Sequence, residues 1–241
     1  MPDSPDYQKY LPNSVRFSLQ DMGELAARLG SIVTYDRRGE LIWYDDFRYG
    51  LGCWTISLAG TGADVSLSTD GLSVAPYCVK LTAGSSGTRL ARMNRELGVI
   101  ELDRAGAEFS FTQIAPSTIV EFEIVVCLKP FLHYISVNLD VTDNKIYVRN
   151  AANVFEEVAV LSDVYKNGNI VNSLKVVWDI SDNTYIRLLI NRFAIDVSAI
   201  GLYTIAAGIT NSINVQMSLR GEGGPNENMR IYHSILTSNE P

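Results

Sequence analysis

The chain has 241 residues, of which 46% are hydrophobic and 20% charged, with a formal net charge of −7. This composition excludes a disordered chain, and the length fits one large all-β domain plus an extension, or at most two small domains. The acidic balance also argues against nucleic acid, because basic residues cluster only at Arg37-Arg38 and from Arg89 to Arg95.

No apolar run approaches the ~18 residues of a membrane span. The polar start, Met1 to Tyr7, has no basic stretch followed by an apolar one, so no secretory signal is expected. Residues 1–17 hold Pro2, Pro5 and Pro12 and read as an extended arm. Ser18 to Asp21 then fits a capping box. Leu19, Met22, Leu25, Ala26 and Leu29 recur at helical spacing, and Gly30 is placed to stop the helix. A helix over about 19–29 is too short to be stable alone, so Leu19, Met22, Leu25 and Leu29 are expected to dock on a partner surface.

After Gly30 the period changes to two. Ser31 to Tyr35 and Glu40 to Tyr44 read as a hairpin joined by residues 36–39. Further strands are expected at Ile119–Leu128, Tyr134–Val141, Lys145–Asn150, Phe155–Leu161, Leu174–Ile180, Tyr185–Ile190, Asn214–Leu219 and Ile231–Leu236. Asp-Asn pairs at 143–144 and 182–183 suit tight turns, because Asn tolerates the left-handed backbone. Many short strands with little helix imply a two-sheet sandwich or barrel. Cys53, Cys78 and Cys127 lack zinc-ligand spacing. They are expected as reduced, mostly buried thiols, a Cys53–Cys78 disulfide being the alternative.

Three stretches resemble concanavalin A-like and laminin-G-like jelly rolls. They are Trp43-Tyr-Asp-Asp-Phe47 with Gly50 and Gly52-Cys-Trp54, Ser173–Asp179 running through Tyr185–Asn191, and the closing Arg230–Thr237. The resemblance implies an antiparallel jelly-roll sandwich over 43–241, with the closing strand returning beside the opening one. Residues 1–42, the arm, helix and hairpin start, fall outside the pattern. Leu25–Gly39 fused to such a sandwich is similar to uncharacterised proteins of tailed bacteriophages.

A jelly-roll glycoside hydrolase needs two positioned carboxylic acids. Glu121 and Glu123 would share a strand face, but the further acid of the hydrolase pattern is missing, and a solvated face is the expectation. His133 and His233 stand in or beside strands without a nucleophile motif. Asp45-Asp46 and Asp140 with Asp143 could offer oxygens to calcium, which the resembled fold often binds. Calcium takes about six to eight oxygens and no dense acidic loop supplies them, so no metal or other cofactor is expected. Gly221–Asn228 reads as a polar connector, with Asn226 a ligand-facing candidate.

A sugar site would use aromatic platforms beside amides and carboxylates. The candidates are Trp43, Trp54, Tyr77, Tyr134 and Asn226, with Tyr147 and Trp178 also weighed and Trp178 assigned to the core. The sequence reading adopted is a non-catalytic structural protein. It would be a homo-oligomeric bacteriophage virion component, such as a capsid-decoration subunit, whose arm contacts its own copies (a trimer or dimer) or a capsid or tail protein. Its expected place is the virion, or the cytoplasm before release. A carbohydrate-binding, lectin-like module is the alternative.

Overall fold

The chain divides into two compact units, Met1–Arg37 and Arg38–Pro241. The structure, a computed structural model, describes residues 36, 38–69, 77–85, 89–98, 103–113, 118–160, 168–207, 211–221 and 227–241. The predicted helix with Leu19, Met22, Leu25 and Leu29, the first hairpin strand and Asn226 lie outside these residues.

The described part of Arg38–Pro241 is all β. In chain order its strands are β1 (Glu40–Asp45), β2 (Thr55–Ala59), β3 (Asp64–Ser68), β4 (Cys78–Thr82), β5 (Leu90–Leu97), β6 (Arg104–Gln113), β7 (Thr118–Leu128) and β8 (Phe131–Asp140). They continue as β9 (Lys145–Arg149), β10 (Phe155–Val160), β11 (Asn172–Asp179), β12 (Thr184–Ile190), β13 (Phe193–Ile195), β14 (Tyr203–Ala206), β15 (Ser212–Gly221) and β16 (Asn228–Ser238).

Sheet 1 has the order β13-β12-β11-β6-β16-β4-β3, and β1 also pairs with β16. Sheet 2 has the order β10-β9-β8-β7-β15-β5-β2, and β14 also pairs with β8. Pairing is antiparallel throughout the two sheets. The expected antiparallel sandwich is therefore present. Its closing strand β16 lies beside the opening strand β1, from Glu40 against Ser238 to Asp45 against Ser234.

Alternation builds the core. Val120, Phe122, Ile124 and Val126 of β7 face inward, as do Phe109 and Phe111 of β6. The Phe109 and Phe122 rings stack at 4.5 Å between centroids. Burying each such side chain contributes about 1.5–3 kcal/mol. Asn144, Asn183 and Asn191 hold positive φ of 57°, 54° and 49° at their turns, the conformation Asn tolerates best among non-glycine residues.

Buried Tyr185 of β12 ties the sheets together. Its hydroxyl accepts the Ser136 amide at 3.1 Å and donates to the Arg149 carbonyl at 3.0 Å. Burial pushes the phenol's pKa up, so the hydroxyl stays a donor. This bond fixes β8 and β9 from beneath.

Among the described residues no helix is long and apolar enough to cross a membrane. The three cysteines are free; Cys78 and Cys127 are buried as expected, whereas Cys53 is exposed.

Candidate functional site

The inward residues of sheet 2 leave every other position on its outer face. Along β7 these are Glu121 and Glu123, along β8 Tyr134, Ser136 and Asn138, along β15 Gln216 and Ser218, along β5 Arg92 and Asn94, and along β9 Tyr147 and Arg149. Strand register brings them together from five separate parts of the sequence. Unlike the expected solvated face, Glu121 and Glu123 are only 7% and 8% exposed, because flanking side chains of β8, β9 and β15 close over them.

Glu123 is the better anchored acid. Ser136 Oγ donates to its Oε2 at 2.8 Å and Gln216 Nε2 to its Oε1 at 3.2 Å. Arg149 Nη1 lies 3.2 Å from Oε2. Burial raises the Glu123 pKa; Ser136 and Arg149 pull it down, and Glu121 pushes it up further. The direction is upward because desolvation of the charged form outweighs the partners. Glu121 receives one hydrogen bond, from Ser218 Oγ at 3.1 Å.

Beside the acids lies an aromatic group. The Arg149 guanidinium sits over the Tyr134 ring at 5.4 Å and over the Phe155 ring at 5.2 Å. Tyr203 of β14 packs on Tyr134 at 5.4 Å between centroids. A cavity of about 340 Å³ opens next to them, lined by Ile119, Asn138, Asp140, Tyr147, Phe155 and Arg220. Asn138 Oδ1, Arg92 Nε and Arg149 Nε are buried without a hydrogen-bond partner. Buried polar atoms are paired in the great majority of cases, so such a group on one face needs an explanation. Rings, carboxylates and unmatched donors and acceptors together suit a ligand that has both apolar faces and hydroxyls.

The sequence candidates divide on this geometry. Tyr134 and Tyr147 stand on the outer face of sheet 2, and Trp178 is in the core as expected. Trp54 is a core residue, 6% exposed, and its Nε1 donates to Asp45 Oδ2 at 3.0 Å. Trp43 packs on Trp54 at 5.9 Å, with Arg95 over its ring at 5.3 Å, away from the acids. Tyr77 leads into β4 of sheet 1. Asp45 spends its oxygens on Trp54, Arg95 and the Phe47 amide, and Asp140 accepts the Asp143 amide in its turn. His133 is buried against Asn183, and His233 Nε2 lies 2.7 Å from Ser110 Oγ on sheet 1.

Arg92, Asn138, Arg149, Phe155, Tyr203 and Gln216 were not singled out in the sequence. The alternation Tyr134-x-Ser136-x-Asn138-x-Asp140 was the one signal available, a strand whose second face is polar yet not fully charged.

No family model and no curated protein matches the sequence. Solved structures do match the fold. A mixed-linkage glucan GH16 protein of Bacteroides ovatus, in complex with a product, is 15% identical with a TM-score of 0.55, over 80% of this chain and 99% of its own. The laminarinase catalytic domain of Thermotoga maritima is 12% identical with a TM-score of 0.53, over 85% of this chain and 100% of its own. Peanut lectin is 15% identical with a TM-score of 0.52, over 81% of this chain and 95% of its own. At these identities the likeness shows the fold, a concanavalin A-like jelly roll. It also corrects the reading of the chain as non-catalytic. The same sandwich serves a laminarinase catalytic domain and a lectin, so it does not exclude an enzyme.

Proposed function

We propose that the outer face of sheet 2 binds carbohydrate. One observation carries this reading. Tyr134, Tyr147, Phe155 and Tyr203 share that face with buried Glu121 and Glu123 and with a cavity onto which Asn138 opens, its Oδ1 unpaired. Apolar sugar faces stack on such rings, while hydroxyls satisfy the amide and carboxylate oxygens. Lectins and glucan-processing proteins of the same fold support the reading.

A glycan array with the full chain tests it. Tyr134→Ala is expected to lower retained binding about tenfold, the effect of one lost ring contact and its neighbouring hydrogen bonds. Binding that survives Tyr134→Ala and Phe155→Ala together would move the site elsewhere.

A second reading is hydrolysis of the bound glycan. It is favoured by Glu121 and Glu123 sharing one buried face, with Glu123 tuned toward the protonated form a general acid needs. Two residues along a strand lie about 7 Å apart, compatible with a pair of glycosidase carboxyls. Reducing ends released from a bound polysaccharide, and lost in Glu123→Gln, would establish it. The virion-assembly reading rests on residues 1–30, outside the described residues. The likeness to lectins supports sugar binding in its place.

A further inference from the structure

Six cross-strand pairs on sheet 2 form one continuous line across the strands. Ser57 of β2 faces Arg92 of β5, and Arg92 faces Ser218 of β15. Ser218 faces Glu121 of β7, Glu121 faces Asn138 of β8, Asn138 faces Tyr147 of β9, and Tyr147 faces Glu157 of β10. Arg92, Ser218, Glu121, Asn138 and Tyr147 stand on the outer face, because their neighbours along each strand are core residues.

The line concentrates the unmatched groups of this face. Arg92 Nε at one end has no acceptor, and Asn138 Oδ1 near the other has no donor. Between them, among the described residues, Glu121 has a single hydroxyl partner and no basic side chain in ion-pair contact. Tyr147 and Asn138 line the cavity at the far end. With strands about 4.8 Å apart, four steps separate Arg92 from Tyr147 by about 19 Å. One sugar ring cannot meet both ends.

From this, and resting on the carbohydrate reading above, we infer that the site takes an uncharged linear oligosaccharide laid across the strands. One ring sits against Tyr147 in the cavity, and the chain runs over Asn138, Glu121 and Ser218 to Arg92. Charge sets the class. The middle of the line is the buried carboxylate of Glu121, whose one hydrogen bond comes from a hydroxyl, so a uronate lying there meets like charge. Hydroxyls both donate and accept. They match the partly exposed amide of Asn138 at the cavity, the carboxylate of Glu121 and the partly exposed guanidinium of Arg92.

The experiment is titration calorimetry and a glycan array on the full chain. The probes are glucan, xylan, mannan and galactan oligosaccharides of one to six rings, with oligouronates of the same lengths. Affinity for neutral chains is expected to rise at least tenfold from one ring to four. Arg92→Gln lowers four-ring affinity about tenfold, the scale of one charge-assisted hydrogen bond, and flattens the length dependence. Tyr147→Ala weakens binding at every length; should that variant not fold, Asn138→Ala replaces it. Equal affinity for one and four rings, indifference to Arg92→Gln, or binding of uronates alone overturns the inference while leaving a sugar site on this face. Failure of every glycan to bind removes the carbohydrate reading as well.

Discussion

Lys175 of β11 and Glu121 of β7 both stand on outward positions of interior strands, one on each sheet, and both are buried. Their surroundings differ. On sheet 1, Lys175 Nζ lies 2.6 Å from Glu240 Oε1, both side chains fully buried, and donates to the Arg38 carbonyl at 2.9 Å. Glu240 also receives Thr237 Oγ1 at 2.6 Å and pairs with Arg187 Nη2 at 2.5 Å. Gly106 makes room for this carboxylate, since a Cβ there would come within 3.0 Å of Glu240 Oε1. On sheet 2, Glu121 has one hydroxyl, and Asn138 Oδ1 and Arg92 Nε have nothing. The first face uses burial to fasten the chain's last residues. The second face gives its buried acid Glu121 a single hydroxyl partner, next to aromatic rings and a cavity.

That contrast breaks at Glu240 first. Glu240→Ala leaves Lys175 buried without a counter-charge, and a loss of about 3–5 kcal/mol is expected in urea unfolding. Sugar binding by the folded variant should be unchanged. A loss under ~1 kcal/mol would mean that the sheet 1 network does not fasten the C-terminal residues.

The pH dependence of stability sharpens the contrast next. Burial raises the Glu123 carboxyl, so the folded chain holds that proton more tightly than the unfolded chain does. The sign follows: Glu123 costs nothing below the ordinary carboxylate value of about 4.3, and its penalty grows as pH rises through the raised folded value. Glu123→Gln should flatten this decline between acid and neutral pH. An unchanged slope in the variant would show that another group titrates there.

The smallest expected effect is at Asn138. Its Oδ1 has no partner to lose, so Asn138→Ala should shift stability by no more than about 0.5 kcal/mol, yet weaken glycan binding. A large drop in melting temperature with binding intact would assign Asn138 to the scaffold.

Much of the scaffold was legible in the sequence, because local alternation and turn chemistry set it. The strands at 118–128, 131–140, 145–149, 172–179 and 184–190 match their expected positions, and the Asn turns do as well. β2 to β6, β13 and β14 were not among the expected strands, including β6 with its Arg-Ala-Gly-Ala start, where propensity is weak and packing against β11 and β16 decides the strand. The outer face of sheet 2 was the least legible part. Glu121 and Glu123 were noticed, but solvent was expected around them.

The sequence by itself determined an acidic chain with a β-rich sandwich region, its main strands, their inward faces and the residues able to turn between them. All of these depend on neighbours a few positions apart. Only the tertiary structure decided that Trp54 is core, that Glu121 is buried, and that Arg92, Ser218, Glu121, Asn138 and Tyr147 form one line. The physical reason is register. Hydrogen bonds between strands far apart in the chain choose which outward residues meet, and a slip of one residue would turn each of them to the other side.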